Sequence, residues 1–240
     1  MWMRSELKDR AKEVLKGTYW KAFLVSLILS FVNGGSGGSS GGSGANTVHV
    51  SSGEGWYTLL PALIFIGLIA VAIGLLLRIF LGYPIEVSAR RYFVQAAKGE
   101  VTLHHLGYSF KRDRYISIVG AMLYKGVLIF LWFLLLIIPG IVKAYAYSMV
   151  PYILSNNPNI GYKRAIQLSK QMTNGEKMNI FILDLSFIGW FLLGVLTFGI
   201  GLLFVMPYYN ATKAELYIAL RHIAVENGLS SREELNLTSM

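Results

Sequence analysis

Cysteine is absent from this 240-residue chain, and only 15% of its residues are charged. The lack of cysteine excludes disulfides, thiolate catalysis and cysteine-ligated metal sites. The low charge goes with an apolar content of 54% and a mean hydropathy of +0.51, which is too apolar for an ordinary soluble domain of this size. The composition therefore predicts a membrane protein.

Catalytic and cofactor motifs are also missing. The chain contains no GxxxxGK phosphate loop, no HExxH and no GxSxG sequence. Its four histidines are His49, His104, His105 and His222. The adjacent pair would point to different faces of a helix, which argues against a shared metal ion. We therefore predict a protein that is not an enzyme, has no cofactor and binds no nucleic acid.

Apolar runs define the predicted fold class, an all-α polytopic membrane protein. A span needs about 20 residues at a rise of about 1.5 Å per residue. Six candidate runs cover residues 19–32, 58–82, 115–138, 141–155, 178–196 and 198–212. Three parallel helical hairpins, each entered from the cytoplasm, would accommodate them.

The N-terminal segment 5–16 predicts an amphipathic helix at the membrane interface. Its apolar residues recur at helical spacing on one face: Leu7, Ala11, Val14 and Leu15. A secretory signal peptide is the alternative interpretation of the start of the chain. The 21 residues before the apolar stretch are long for that purpose and contain three acidic residues.

Basic residues are distributed very unevenly between the predicted loops. Segments 1–21, 78–114, 156–178 and 213–240 together hold 20 of the 22 basic residues and 11 of the 13 acidic ones. Because cytoplasmic loops are enriched in Lys and Arg, both termini are predicted to be cytoplasmic in a multi-pass cell-membrane protein. The basic helices would contact anionic lipid or a protein partner. The candidate residues are Arg90, Arg91, Lys163, Arg164 and Lys170.

Two segments stand apart from the predicted bundle. Residues 33–46 are almost entirely Gly and Ser, which predicts a flexible external loop. An engineered linker is the alternative, but the spacing is irregular. Residues 1–228 form one predicted transmembrane domain, and 229–240 a polar cytoplasmic tail.

A threefold repeat is indicated by prolines at matching places in the second helix of each predicted hairpin, namely Pro84, Pro151 and Pro207. Segments 88–92 and 211–215 also align. Outer turns are predicted at Pro139-Gly140 and at Gly199. Because Pro frees a backbone carbonyl, broken helices 4 and 6 predict a midplane site that includes Tyr147 and Asn210, although kinks that only shape packing are the alternative.

Lys125 and Asp184 are charges well inside the predicted spans. Each lies 15 residues before a turn glycine, which would place the two at similar depth. Three interpretations remain open: a structural ion pair, independent snorkelling towards the headgroups, and a substrate or proton site.

Several segments resemble a bacterial integral-membrane family known as domain of unknown function 975. They are ELK (6–8), GTYWKAF (17–23), IPGIVKAYAYSMVPY (138–152), AIQLS (165–169), LDLSFIGW (183–190) and PYYNATKAELY (207–217). The resemblance implies a Gram-positive cell membrane and no established activity. It extends more distantly to membrane domains attached to glycerophosphodiester phosphodiesterases, from which no catalytic residue carries over.

Two functions are compatible with these patterns. The leading hypothesis is a non-enzymatic scaffold or regulatory module that contacts anionic lipid or a partner through its basic helices. The alternative is a permease or binder of a small or lipid-like molecule that uses the Pro-interrupted helices.

Overall fold

The computed structural model describes residues 2–32, 56–99, 103–197 and 199–237, and these contain helices and no strand. This confirms the predicted all-α class. The predicted Gly/Ser loop lies outside the described residues. The α-helices are α1 Arg4–Lys16, α2 Tyr19–Val32, α3 Trp56–Leu77, α4 Tyr83–Ala97, α5 Arg112–Leu135, α6 Ile137–Ala146, α7 Val150–Asn156, α8 Tyr162–Met172, α9 Lys177–Leu185, α10 Ile188–Leu196 and α11 Ile200–Glu226.

Four helical stretches in the described residues are long and apolar enough to cross a membrane. They are Leu63–Ala97, Arg112–Leu135, Ile137–Asn156 and Lys177–Leu196. These lengths and compositions indicate a helical membrane protein. The predicted first and sixth spans correspond to α2, which is short, and to α11, which is long but more polar along its second half.

Helices α4 and α11 form the centre of the bundle. Helix α11 packs against α1, α2, α4, α8 and α10, and α4 also packs against α2, α5 and α7. The apolar face predicted for α1 packs against α11, and this contact buries Leu7, Ala11 and Leu15. Helix α3 differs, because its described large apolar side chains are exposed along its length.

Proline shapes the helices that line the centre. A five-residue π-helical turn, Arg78–Gly82, joins α3 to α4 immediately before Pro84. Because Pro has no N–H, Pro84 cannot donate to the carbonyl of Phe80 four residues earlier. That carbonyl accepts a hydrogen bond from the Tyr115 hydroxyl at 2.8 Å. Pro207 lies inside α11, which continues through it.

The turn predicted at Pro139-Gly140 is found three residues earlier. The chain is extended at Leu136 (φ −162°, ψ 146°), and Pro139 and Gly140 belong to the first turn of α6. Pro is well accommodated there because first-turn N–H groups have no intrahelical partner. A Cβ atom on Gly140 would lie 2.7 Å from the Phe133 ring, so glycine permits the close approach of α5. The other predicted turn glycine, Gly199, does adopt a left-handed conformation (φ 83°).

Candidate functional site

A cavity of about 410 Å³ lies between α4, α5, the α6–α7 junction, α9 and α11. Its volume falls within the range of about 300–1,000 Å³ that is typical of small-molecule sites. Apolar side chains such as Ile129 and Met149 form part of the wall. Five ionisable side chains of both signs line it as well: Glu86, Arg90, Lys125, Asp184 and Lys213. We call this space the main cavity.

One of the cations that line the main cavity is neutralised by a carboxylate of the protein itself. The Lys213 Nζ atom lies 2.6 Å from Oδ1 of Asp184, and both side chains are largely buried. The Tyr209 hydroxyl donates a longer hydrogen bond of 3.3 Å to the same carboxylate oxygen. Helices α9 and α11 are therefore joined by an ion pair inside the bundle.

Arg90 lines the main cavity from α4. Its Nη1 atom donates to Oδ1 of Asn210 at 2.8 Å, and the Asn210 amide donates to the Ser26 hydroxyl at 3.1 Å. The guanidinium carbon lies 5.2 Å from the centre of the Tyr152 ring. Its Nε atom is buried and has no hydrogen-bond partner. No carboxylate forms an ion pair with Arg90 within the described residues.

Lys125 lines the main cavity from α5. It has neither a hydrogen bond nor an ion pair within the part of the chain that the structure describes. Glu86 lines the same cavity but lies beyond the distance of an ion pair with Lys125. The five charges sum to +1, and the two cations on the α4–α5 side lack a direct anionic partner.

The break between α6 and α7 positions the polar wall formed by Tyr145, Ser148 and Tyr152. At this break, the Ser169 hydroxyl of α8 donates to the carbonyl of Ala146 at 2.8 Å and accepts from the N–H of Met149 at 3.3 Å. Pro151 follows in the first turn of α7 and also lines the cavity. A hydroxyl on a neighbouring helix thus satisfies the backbone that the broken span leaves open.

A second, smaller cavity of about 220 Å³ shares two wall residues with the main cavity, Arg90 and Tyr209. Its other lining residues are Leu29, Ser30, Phe191, Met206 and Asn210. These residues come from α2, α10 and α11. We call this space the small cavity.

A larger surface cavity of about 670 Å³ lies between the N-terminus and α9. Its charged residues, Arg4 and Lys8, lie on the amphipathic α1, and the Lys8 Nζ atom stacks 4.6 Å from the Phe187 ring centre. No buried ion pair lines it in the described residues. The main cavity is therefore the better candidate site.

The structure brings together part of the residue set predicted for the site. Lys125, Asp184 and Pro151 line the main cavity, and Asn210 lines the small one. Pro84 and Pro207 are buried in the helices that carry Arg90 and Tyr209. Tyr147, Pro139 and Gly140 lie outside the lining of the main cavity.

The ion partner of Asp184 differs from the predicted one. Asp184 binds Lys213, whereas Lys125 lines the same cavity without an ion pair. Lys213 follows directly after the sixth predicted span, 198–212, and the alignment of segments 88–92 and 211–215 matches it with Arg90. Six residues separate Pro84 from Arg90 and also Pro207 from Lys213. That shared spacing is the signal that could have identified both cations.

The predicted lipid-contact residues fall into two groups. Lys163 and Lys170 are exposed on α8. The other three are engaged within the protein: Arg90 lies in the cavities, Arg91 donates to the carbonyl of Ser155, and Arg164 binds Glu234. These three arginines are partly buried and form hydrogen bonds within the protein, whereas Lys163 and Lys170 are exposed.

The described part of the C-terminal segment, residues 229–237, docks on the bundle. Leu235 is fully buried, and both oxygens of Glu234 accept hydrogen bonds from Arg164, at 2.7 and 2.8 Å. The Asn236 amide donates to the carbonyl of Asn156. The hydrogen bonds from Arg164 lower the pKa of Glu234 to about 2. The described part of the tail is therefore fixed to α7 and α8.

Within the described residues, no group of three or more His, Asp or Glu side chains could hold a metal ion. The ionisable residues of the main cavity comprise three cations and two separate carboxylates. This arrangement suits an anionic guest rather than a metal cation.

The fold and cavity define a helical membrane-type protein with a polar internal site. Residues 133–224 match the model of a family described as "Protein of unknown function (DUF975)", which confirms the resemblance seen in the sequence. No curated protein and no solved structure matches the chain. The matched segment contributes Asp184, Tyr209 and Lys213 to the main cavity, whereas Arg90 and Lys125 come from outside it.

Proposed function

We propose that this protein is a non-enzymatic, six-span cell-membrane protein that binds an anionic headgroup, such as a phosphate ester, in its main cavity. The main observation in support is that Arg90 and Lys125 line this cavity without an ion-pair partner, whereas the neighbouring Lys213 is paired with Asp184. An anionic guest would complete the hydrogen bonding of both cations.

Apolar wall residues support a lipid-like guest. Ile129, Ala144 and Met149 lie beside the charged groups, so the cavity offers apolar and cationic surface together. A phosphate ester attached to an acyl chain presents the same two chemistries. The cavity volume of about 410 Å³ suits a headgroup rather than an entire phospholipid.

The experiment is native mass spectrometry of the purified protein with phosphatidylglycerol and, as the zwitterionic comparison, phosphatidylcholine. We expect preferential retention of phosphatidylglycerol. Arg90→Gln and Lys125→Gln should each weaken retention about tenfold or more, because a hydrogen bond to a charged group contributes about 1.5–3 kcal/mol.

Lys143→Gln is the matched control. Lys143 is on α6, where its Nζ atom lies 4.5 Å from the Trp132 ring centre, and it does not line the main cavity. The control should retain phosphatidylglycerol like the wild type. Equal losses in Lys125→Gln and Lys143→Gln, or equal retention of both lipids by the wild type, would contradict the proposed site.

The six-span topology, with both termini in the cytoplasm, rests on the distribution of basic residues and has its own test. Because the chain has no cysteine, single cysteines can replace Ser39, Gly107 and Asn159. Only the Ser39 position should react with an impermeant maleimide added to intact cells. Asn159 is preferable to Gly161 because Gly161 has a positive φ of 84°, which strains any other residue. Labelling at Gly107 or Asn159 would reject this topology.

A scaffold role through α8 is a second candidate, favoured by the exposure of Lys163 and Lys170 on a helix whose apolar face is buried. Lys163→Gln combined with Lys170→Gln should weaken association with anionic liposomes, since each surface cation contributes about 1 kcal/mol near charged lipid. Arg164 is left intact because it holds Glu234. Unchanged association would remove this candidate.

A further inference from the structure

The two cavities lie at successive levels along α11. The small cavity reaches Met206 and the main cavity reaches Lys213, seven residues further on. At 1.5 Å per residue this separation is about 10 Å along the helix axis. Arg90 and Tyr209 line both cavities and therefore form the partition between them.

The two partition side chains form few hydrogen bonds, although the Tyr209 ring also packs edge-on against Phe187 and Phe191. Arg90 is held by one hydrogen bond, from Nη1 to Asn210, while its Nε atom has no partner. Tyr209 is held by a long hydrogen bond of 3.3 Å to Asp184. By comparison, the Lys213–Asp184 contact beside it is 2.6 Å. A change of side-chain rotamer at Arg90 and Tyr209 would break these two hydrogen bonds and the ring contacts, whereas Lys213 and Asp184 do not line the small cavity and their ion pair could stay in place.

Both helices that carry the partition are weakened close to it. Pro207 lies two residues before Tyr209, and Pro84, which follows the π-helical turn, lies six residues before Arg90. Pro removes a backbone hydrogen bond, and π-helical turns interrupt the regular ladder. Each of these two helices therefore has an interrupted backbone hydrogen-bond ladder within two turns of a partition residue.

The small cavity differs chemically from the main one. Apart from the shared Arg90, it presents no cation, and its polar groups are Ser30, Tyr209 and Asn210. Its volume of about 220 Å³ is below the usual range for a binding site. An anionic group would therefore be held in the main cavity and would pass through the small one.

We propose that Arg90 and Tyr209 form a gate between the two cavities, through which the bound anionic headgroup moves across the bundle. The inference rests on the proposed headgroup site and adds translocation to binding. Arg90 would accompany the anion during passage, since its guanidinium borders both cavities.

The experiment compares movement with binding in proteoliposomes that contain the full chain. One arm follows transbilayer movement of fluorescently tagged phosphatidylglycerol by dithionite bleaching, and the other follows uptake of radiolabelled glycerol 3-phosphate. We expect the wild type to move one of these probes. Movement of the tagged lipid would identify the guest as a lipid headgroup, and uptake of glycerol 3-phosphate would identify it as a free phosphate ester. Movement of neither probe by a protein that retains phosphatidylglycerol would overturn the gate and leave the binding proposal intact.

Met206→Trp tests the passage because it fills the small cavity from α11. It should slow probe movement about tenfold or more while leaving phosphatidylglycerol retention in the main cavity unchanged. Ile200→Trp is the matched control, since Ile200 is 63% exposed at the start of the same helix. Ser30→Leu narrows the small cavity from α2 and serves if Met206→Trp does not fold. Normal movement in a folded, binding-competent Met206→Trp or Ser30→Leu variant would overturn the gate.

Discussion

The two walls of the main cavity both carry cations, but only the cation on one wall has an ion-pair partner. On the α9–α11 wall, Lys213 is paired with Asp184 at 2.6 Å. On the α4–α5 wall, Arg90 and Lys125 face the same space without ion pairs. A buried charge is expensive unless it is paired, so the first wall is arranged for stability. The second wall has two cations without ion pairs, and this difference is what the proposed binding of an anionic guest relies on.

The largest expected effect comes from breaking the paired wall. Asp184→Ala should destabilise the protein by about 3–5 kcal/mol, because it leaves Lys213 buried without a counter-charge. The measurement is thermal unfolding in detergent. Adding Lys213→Met should restore part of the loss, since the stranded cation is then removed.

Strictly additive losses in the double variant would show that Asp184 and Lys213 do not stabilise each other. Asp9→Ala provides a matched control, because Asp9 forms an exposed pair with Lys12 on α1. Its effect should stay within about 1 kcal/mol, as for other surface ion pairs.

A smaller effect is expected at the partly exposed ion pair of the C-terminal segment. Its Glu234 has a pKa lowered to about 2 by the hydrogen bonds from Arg164, against an ordinary value of 4.5. Because the folded-state pKa is the lower one, the carboxylate stabilises docking above about pH 4.5, and this contribution is lost as the pH falls towards 2. A spin label on a cysteine that replaces the exposed Glu233 should become mobile across this window.

Glu234→Gln should make the label mobile already at pH 7, since the charge-assisted hydrogen bonds are then weakened. Solvent exposure of about a quarter to a third for the two side chains limits the contribution to about 1 kcal/mol. A label that stays immobile in this variant would show that Leu235 and the Asn236 amide suffice for docking.

Sequence patterns predicted the helical class, α1 with its buried face and the turn at Gly199. They also singled out Lys125 and Asp184, which line the main cavity. Periodicity and hydropathy are properties of a short segment, so they predict the position of a helix and its apolar face. The partner of Asp184 could not be obtained in the same way, because it depends on how α9 packs against α11. The place of Arg90 in the cavity lining could not be obtained from its own segment for a related reason: α3 and α4 are joined by a π-helical turn, and α4 lies at the centre of the bundle.

The smallest stability effect, and the one that separates the two walls most directly, is expected for Lys125→Met. This replacement retains much of the side-chain length and removes a charge that forms no ion pair in the described residues, so stability should stay within about 1 kcal/mol of the wild type or rise. Thermal unfolding in detergent without added lipid measures this directly. The wild type should gain thermal stability when phosphatidylglycerol is added, because a ligand stabilises the state it binds, and Lys125→Met should lose most of that gain. A large loss of stability in lipid-free detergent would instead place Lys125 with Lys213, as a cation that the fold itself requires.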